Sequence, residues 1–193
     1  MKKLLFLLLL ISASLVHAQI EKVDTVINEK CYTSYYSYKI KAPAYAVYKL
    51  YKGGGNVSRK GMSFKSKLPH FAYTKSGYDI GHMANAEDFA YNKELEESTF
   101  RYYNALPQTP NLNRGIWKVL ETQVRKDSQK DSLLIICGGI EFNNLVPSKC
   151  FKVVYSLSTG KILYSTVFTN KKADNSQTKF DYLFDFSKLR KQR

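Results

Sequence analysis

Cysteine is scarce in this sequence: there are three, Cys31, Cys137 and Cys150, and no two of them have the Cys-x-x-Cys spacing. That spacing is typical of structural zinc sites, so its absence argues against one. Cys137 and Cys150 lie on apolar segments joined by a short connection, and in an oxidising compartment we expect them to pair. The bridge would contribute roughly 3 kcal/mol. Three buried free thiols are the alternative.

Long apolar runs are also missing after the first 18 residues. Lys2 and Lys3 precede an apolar stretch from Leu4 to Leu15, and Val16-His17-Ala18 offers small residues for cleavage. The stretch is too short to cross about 30 Å of hydrocarbon comfortably, although a membrane anchor is the alternative. Residues 1–18 are therefore predicted to be a signal peptide, cleaved near Ala18, for secretion or transfer to the periplasm. No cysteine directly follows Ala18, so we expect no lipid anchor on the mature protein.

Acidic residues are few, with 16 against 30 basic ones and a net charge of +14. Without Lys2 and Lys3 the mature chain keeps 28 basic and 16 acidic side chains, a net charge of +12. Such a balance attracts polyanions such as nucleic acid or an anionic surface. The alternative is that the charge only maintains solubility.

Internal repeats and low-complexity linkers are absent too, so residues 19–193 are predicted to form a single domain. Tyrosines and β-branched residues from Cys31 to Tyr51 predict strands near a sheet edge, because Pro43 interrupts them. Residues 52–67 contain four glycines, five basic residues and no acid, which is typical of a mobile basic loop. A short strand over 68–74 and a turn at 75–77 are predicted next.

Two helices and three further strands are predicted in the second half of the chain. The first helix covers residues 94–106 and ends at Pro107. The second begins at Asn113 as its cap, and its predicted buried face consists of Ile116, Val119, Leu120 and Val124. Strands follow over 133–140, 150–157 and 161–168, the last two joined as a hairpin. The aromatic residues of the tail, from 180 to 186, are expected to dock on the domain.

Histidine is limited to three positions, and His17 leaves with the signal peptide, so His70 and His82 are the imidazoles available for proton transfer. His82 is the better candidate base, because Gly81 allows close approach of a substrate and Asp79 is near enough to orient the ring. A packed or surface histidine is the alternative.

Asn113, Trp117, Glu121 and Arg125 recur at four-residue steps and would form a stripe along the second helix. Asn113 and Glu121 are about 12 Å apart along such a helix, too far to bind one ion directly together. A cation bound by one amide oxygen keeps most of its water, which suits Mg²⁺, and Glu121 could hold one of those waters. An ordinary solvated helix face is the alternative.

Several motifs together resemble the DNA/RNA non-specific endonucleases, the family that includes Serratia-type secreted nucleases and endonuclease G. The likeness is clear from Tyr78 to Arg125 and weaker through residues 146–154. Its segments, in chain order, are Asp79-Ile80-Gly81-His82, 83–89, Thr99-Phe100, 104–108, 113–117, Leu120-Glu121 and Arg125. The resemblance implies an α+β fold of the ββα-metal (His-Me finger) type, with a central antiparallel sheet flanked by helices.

The resemblance also implies a function and a site. We expect a secreted Mg²⁺-dependent endonuclease, with Mn²⁺ as a substitute, that hydrolyses phosphodiester bonds in DNA and RNA. His82 would be the general base and Asn113 the direct metal ligand, while Glu121 would support the water shell of the metal. The remaining roles are charge stabilisation by Arg125, phosphate positioning by Asn104 and organisation of the motif by Asp79.

One position departs from the family pattern: Ile80 stands where the family has arginine, so a guanidinium contact to phosphate is lost. Arg59, Lys60 or Arg114 could compensate as substrate-binding residues. A catalytically impaired nucleic-acid-binding protein of the same fold is the main alternative. A zinc hydrolase using His70, His82 and Asp79 is a weaker one.

Overall fold

The computed structural model describes residues 20–171, which fold around a six-stranded antiparallel sheet. Its spatial order is β1-β2-β3-β6-β7-β8. The strands are β1 (Thr25–Asn28), β2 (Thr33–Ser37), β3 (Ala42–Leu50), β6 (Leu133–Asn143), β7 (Val146–Ser156) and β8 (Ile162–Thr169). The predicted signal peptide and the aromatic tail lie outside the described residues. The described part of the chain contains no helix that is both long and apolar enough to span a membrane.

A second, two-stranded antiparallel sheet pairs β4 (Asp79–His82) with β5 (Ala105–Gln108). Two α-helices complete the regular elements, α1 (Lys93–Ser98) and α2 (Trp117–Ser128). Short 3₁₀ turns cover Ala86–Phe89 and Tyr102–Asn104, and one π-helical turn, Leu112–Ile116, leads into α2. The expected mixture of α and β with an antiparallel sheet is confirmed.

The three strands predicted in the second half of the chain are confirmed, and β6 and β7 are longer than expected. Both faces of β7 are buried from Cys150 to Val154, which is why every residue of that segment except Lys152 is apolar. The hairpin between β7 and β8 turns at Gly160, whose φ of 69° suits glycine. The turn at residues 74–77 is also present, with Gly77 at φ 77°.

The expectation that Pro43 marks a sheet edge is wrong, because β3 lies in the interior of the sheet between β2 and β6. Pro43 is tolerated there because it stands at the start of β3. It faces Tyr36 where the pairing with β2 is irregular, and pairing with β6 begins only at Tyr45. The predicted strand over 68–74 is wrong as well, since that segment has no regular structure.

The helix predicted over 94–106 is also wrong. Its first turn exists as α1, capped by the side chain of Asn92, but α1 ends at Ser98. Residues 105–108 are instead strand β5, and Pro107 lies inside it opposite Ile80. β5 pairs only with β4, so Pro107 can lie in it without breaking a second ladder.

The second helix begins later and faces differently than predicted. Asn113 is not its cap but lies within the π-helical turn, and α2 starts at Trp117. The extra residue of that turn changes which side chains point inward. Trp117 is 1% exposed and packs in the core with Leu120 and Val124, whereas Val119 is 56% exposed. The Trp117–Glu121 side of α2 is therefore a buried face, not a solvated one.

The predicted disulfide is wrong, since all three cysteines are free thiols. In the pairing of β6 with β7, Cys137 lies opposite Lys152 and Cys150 lies opposite Gly139, so the two cysteines are not cross-strand neighbours. Burial raises the pKa of each of these two thiols to about 12. Cys31 is only partly buried and contacts the hydroxyl of Ser98.

Candidate active site

A cleft of about 380 Å³ opens where β4 and the start of α2 meet. It brings His82 together with Asn113 and Glu121, which follow it by 31 and 39 residues in the sequence. The residues that line the cleft are Arg59, Ile80, His82, Asn85, Ala86, Glu87, Asn113, Arg114, Lys118 and Glu121. The sequence-based candidates Asn104, Arg125 and Lys60 are not among them.

His82 is the last residue of β4, and its ring is enclosed by two aromatic rings. Phe64 lies 4.7 Å away and Phe100 lies 5.0 Å away, measured between ring centroids. Burial, and secondarily the charge of Arg59, lowers the pKa of His82 to about 3. Within the described chain its Nε2 has no hydrogen-bond partner. The imidazole is therefore neutral at ordinary pH and can accept a proton.

Gly81 is required by close packing beside His82. A Cβ at this position would lie 2.0 Å from Oε1 of Gln108, whose buried side chain crosses β4 from the paired strand β5. Sequence reasoning assigned Gly81 to substrate approach, whereas the structure shows that it admits the side chain of Gln108.

Asp79, the first residue of β4, fixes the orientation of Asn113. Its Oδ2 accepts a hydrogen bond from Nδ2 of Asn113 at 3.0 Å. Arg114 donates to both Asp79 oxygens, at 2.8 and 2.6 Å, and these bonds lower the pKa of the carboxyl group. A carboxylate only accepts, so the amide nitrogen of Asn113 must face Asp79 and its Oδ1 is the atom left for a ligand.

That free amide oxygen is what a hydrated hard cation requires, because Mg²⁺ binds oxygen ligands and retains most of its water. The carboxylate of Glu121 lies on the same cleft and adds negative charge. Over residues 20–171 no group of three or more His, Cys, Asp or Glu side chains could hold a metal ion. His70, His82 and Asp79 thus do not form the three-ligand zinc site considered as an alternative. The donor set fits Mg²⁺ bound by one protein oxygen.

Glu121 is held by a lysine that sequence reasoning missed. Nζ of Lys152, on β7, donates to Oε1 of Glu121 at 3.1 Å and lies 4.3 Å from the ring centroid of Trp117. Lys152 is 1% exposed. Burial alone would lower the pKa of this lysine, but the neighbouring groups Glu121, Cys137 and Asp88 together outweigh it, and the pKa is raised. One signal was present in the sequence: a lone lysine within the apolar run 150–154.

Arg125, expected to stabilise charge at the phosphate, is not among the residues that line the cleft. Its guanidinium donates to Asp88 at 3.0 Å and pairs with Glu87, also at 3.0 Å. Asp88 is buried, accepts a hydrogen bond from Tyr48, and has its pKa raised to about 6, first by burial and then by the charge of Glu121. Arg125 therefore neutralises a buried carboxylate and reaches the cleft only through Glu87.

Asn104, expected to position the scissile phosphate, is internal. It has no exposed surface, and all its hydrogen bonds stay inside the protein. Its Oδ1 accepts from the backbone of Ala84, and its Nδ2 donates to the carbonyls of Ala84 and Thr99. Asn104 thereby fixes the chain directly after His82.

The three basic candidates for substrate binding are placed differently. Arg114 lines the cleft with its side chain 71% exposed while Asp79 orients it. Arg59 also lines the cleft and pairs with the buried carboxylate of Glu96 at 2.8 Å. Lys60 is exposed and lies outside the cleft lining.

Comparisons with known proteins show the family of the chain. The family model of the DNA/RNA non-specific endonucleases matches residues 14–192. A nuclease of Nostoc sp. is 35% identical over 95 residues, which are 45% of this chain and 35% of that protein. Human mitochondrial endonuclease G is 33% identical over 67 residues, 35% of this chain and 23% of that protein. The matched part thus spans about a third or less of these two relatives.

A solved structure supports the fold. The crystal structure of an EndoG/EndoGI complex, described as showing the mechanism of EndoG inhibition, contains a chain that superposes with a TM-score of 0.67. The match covers 79% of each chain at 23% identity. This similarity shows a shared fold, the ββα-metal type expected from the sequence.

Proposed function

The chain belongs to the family of DNA/RNA non-specific endonucleases, and on that basis we propose that it hydrolyses phosphodiester bonds of DNA and RNA in the cleft of His82 and Asn113. The observation that carries the proposal is the placement of a neutral imidazole and a free amide oxygen on one cleft. Arg59, Lys118 and Arg114 line the same cleft and supply positive charge for the phosphate backbone.

In the proposed reaction, His82 accepts a proton from a water molecule as the water oxygen forms a bond to phosphorus. The bond from phosphorus to the 3′ oxygen breaks, and the 3′ oxygen takes a proton from solvent water to leave as a hydroxyl group. Because its pKa is about 3, His82 is in the accepting form throughout the neutral range. Phe64 and Phe100 hold the ring in place. A positioned base of this kind typically contributes about 10²–10⁴-fold in rate.

Asn113 would hold Mg²⁺, or Mn²⁺ as a substitute, through Oδ1, with its amide group oriented by Asp79. The bound cation would supply positive charge to the non-bridging phosphate oxygen and to the departing 3′ oxygen. Glu121, held by Lys152, would accept hydrogen bonds from the water around the cation. Arg114 replaces the guanidinium that Ile80 lacks, since it lines the same cleft.

The test is digestion of plasmid DNA and of RNA by the mature protein with Mg²⁺, with and without chelator. We expect acid-soluble nucleotides only with free metal, and a loss of about 10²–10⁴-fold in His82→Ala. Tyr38→Ala is the control, since Tyr38 is exposed on the surface and lies outside the cleft lining. Full activity of His82→Ala would contradict the proposal.

A second candidate function, nucleic-acid binding without efficient catalysis, is favoured by one observation. Ile80 lines the cleft where the family motif has arginine, and Arg125 is occupied by two carboxylates. On this alternative, nucleic acid incubated with Mg²⁺ is retarded in a gel but remains intact.

Secretion or periplasmic export is also part of the proposal and rests on residues 1–18. We expect the protein recovered outside the cytoplasm to begin near Gln19. N-terminal sequencing would test this, and an intact Met1 on the exported protein would contradict cleavage.

A further inference from the structure

A continuous series of aromatic contacts runs from the proposed base to the protein surface. Phe64 contacts His82 at 4.7 Å and Tyr102 at 5.5 Å, and Tyr102 stacks on His70 with 3.7 Å between ring centroids and 9° between ring planes. Tyr73 packs against Tyr102 at 5.7 Å. His70 is thus three ring contacts away from His82.

His70 differs from the inner members of this series because it is exposed, whereas Phe64 and Tyr102 are partly buried. Its ring orientation is nevertheless fixed. One face lies on Tyr102, and Nδ1 donates to the carbonyl oxygen of Phe71 at 2.9 Å. Within residues 20–171 Tyr102 is the only ring that stacks on His70, which leaves the outer face of the imidazole for a ligand. A flat ring already held in place binds a second ring with little loss of conformational entropy.

The chain around His70 is strongly basic. From Lys52 to Tyr78 there are six basic residues and no acidic residue. Lys67 and Lys75 are exposed on either side of His70. Lys65 has a weak partner, Glu97, at 3.8 Å, and both of these side chains are largely exposed. An exposed aromatic face within a basic segment is the combination by which proteins bind single-stranded nucleic acid.

We propose that His70, stacked on Tyr102, is a nucleobase-stacking subsite that binds an unpaired base of the substrate next to the bond cleaved at His82. The proposal rests on the function proposed above. In a duplex both faces of each base are covered by neighbouring bases, so the subsite serves single strands, loops and frayed ends. Lys67 and Lys75 bind the flanking phosphates. The subsite therefore gives the protein a preference for single-stranded DNA and RNA.

The test is a binding measurement in chelator, so that cleavage does not interfere. Single-stranded oligonucleotides carrying a fluorescent base analogue are titrated with the full mature chain, in parallel with a duplex of the same length. We expect His70→Ala to weaken single-strand binding about tenfold and to abolish the quenching of the analogue, with duplex affinity unchanged. His70→Phe keeps a stacking face and should retain most of the affinity.

Tyr38→Ala is the matched control, because Tyr38 is an aromatic residue that is 50% exposed elsewhere on the surface. It should leave both affinities unchanged. Unchanged single-strand binding in His70→Ala would overturn the proposal, and so would an equal loss for single strand and duplex. If the wild type fails to cut nucleic acid with Mg²⁺, the proposed function fails. The binding of the His70 variants in chelator still shows whether His70 is a base-stacking subsite.

Discussion

Lys152 is the single side chain whose role is hardest to anticipate from its neighbours in the sequence. A lysine with 1% exposure is stable only where a carboxylate compensates its charge, and here that carboxylate belongs to the cleft. Lys152 stabilises the domain and positions Glu121 at the same time.

For Lys152→Met we expect a loss of about 3–5 kcal/mol in the free energy of unfolding, because the variant leaves Glu121 buried without its cation. The double variant Lys152→Met, Glu121→Gln removes both charges and should recover much of that stability. Urea denaturation of the wild type, both single variants and the double variant measures the coupling. Strictly additive effects would show that the two side chains do not interact.

The lowered pKa of His82 makes the free energy of unfolding depend on pH. Its folded pKa, about 3, is below the ordinary value of 6.5, so the unfolded chain takes up the proton first as the pH falls. The contribution of neutral His82 to the free energy of unfolding is fully present above pH 6.5. It is lost as the pH falls from 6.5 towards 3. At pH 4.5 the loss is on the order of 3 kcal/mol.

His82→Gln should lose less stability than the wild type between pH 7 and pH 4.5, because it carries no group that titrates in this range. Asp88, with its pKa raised to about 6, acts in the opposite direction but is present in both proteins. Urea unfolding at the two pH values measures the difference, and His70→Gln serves as the control. Parallel losses in wild type and His82→Gln would show that His82 has no depressed pKa.

Among the structural elements, the glycine-rich loop after β3 is the one that links surface charge to the cleft. Its backbone is attached to the segment after β4 by hydrogen bonds from Gly54 to Asp88 and from Val57 to Ala90. Beyond these bonds the loop carries Arg59 to the cleft and Phe64 to the ring of His82. The loop has no regular secondary structure and is attached at these two points, and the mobility expected from its sequence stays a prediction.

Gly55→Ala should destabilise the protein and weaken nucleic-acid binding, because its added Cβ would lie 2.1 Å from the carbonyl oxygen of Ala90. Gly54→Ala is the matched control: φ is positive at both glycines, but a Cβ at Gly54 meets nothing within 4 Å. We expect Gly55→Ala to cost about 1–3 kcal/mol more than Gly54→Ala in thermal or urea unfolding. Equal costs would mean that the contact with Ala90 does not constrain the loop.

The elements that sequence reasoning located correctly are those specified by local pattern. β6, β7 and β8 are apolar runs bounded by turn residues, and the Asp79–His82 motif follows a true turn. The errors lie where distant pairing overrides local preference. Ala105 and Leu106 have helical composition, but pairing with β4 makes them part of strand β5. The π-helical turn before Trp117 changes which side of α2 faces inward. A regular helical period counted from Asn113 cannot show this change.

The same distinction holds for the site. His82, Asn113 and Glu121 could be named from motifs and share a cleft, whereas their partners come from other elements. Asp79 is bonded to Asn113 across 34 residues and Lys152 to Glu121 across 31. The family resemblance implies substrate roles for Asn104 and Arg125, but it could not show that Asn104 is buried or that Arg125 pairs with Asp88.

For the whole molecule, the net charge of +14 predicts that association with nucleic acid is dominated by phosphate contacts. The logarithm of the affinity for duplex DNA should fall linearly with the logarithm of salt concentration, with a slope near −0.9 for each phosphate neutralised. Titration in chelator at several salt concentrations measures it. Arg114→Ala should reduce the slope by about one, and a flat salt response would contradict the polyanion interpretation.

The close contact between Gly55 and Ala90 also bears on how the protein can be handled. A fluorophore, crosslinker or affinity tag inserted between residues 53 and 57 would separate the loop from its backbone partners and displace both Arg59 and Phe64. The exposed turn at Ser158-Thr159-Gly160, at the far end of the β7–β8 hairpin, offers an attachment point that leaves these contacts intact. Surface immobilisation through that turn would present the cleft to long polymers without disturbing it.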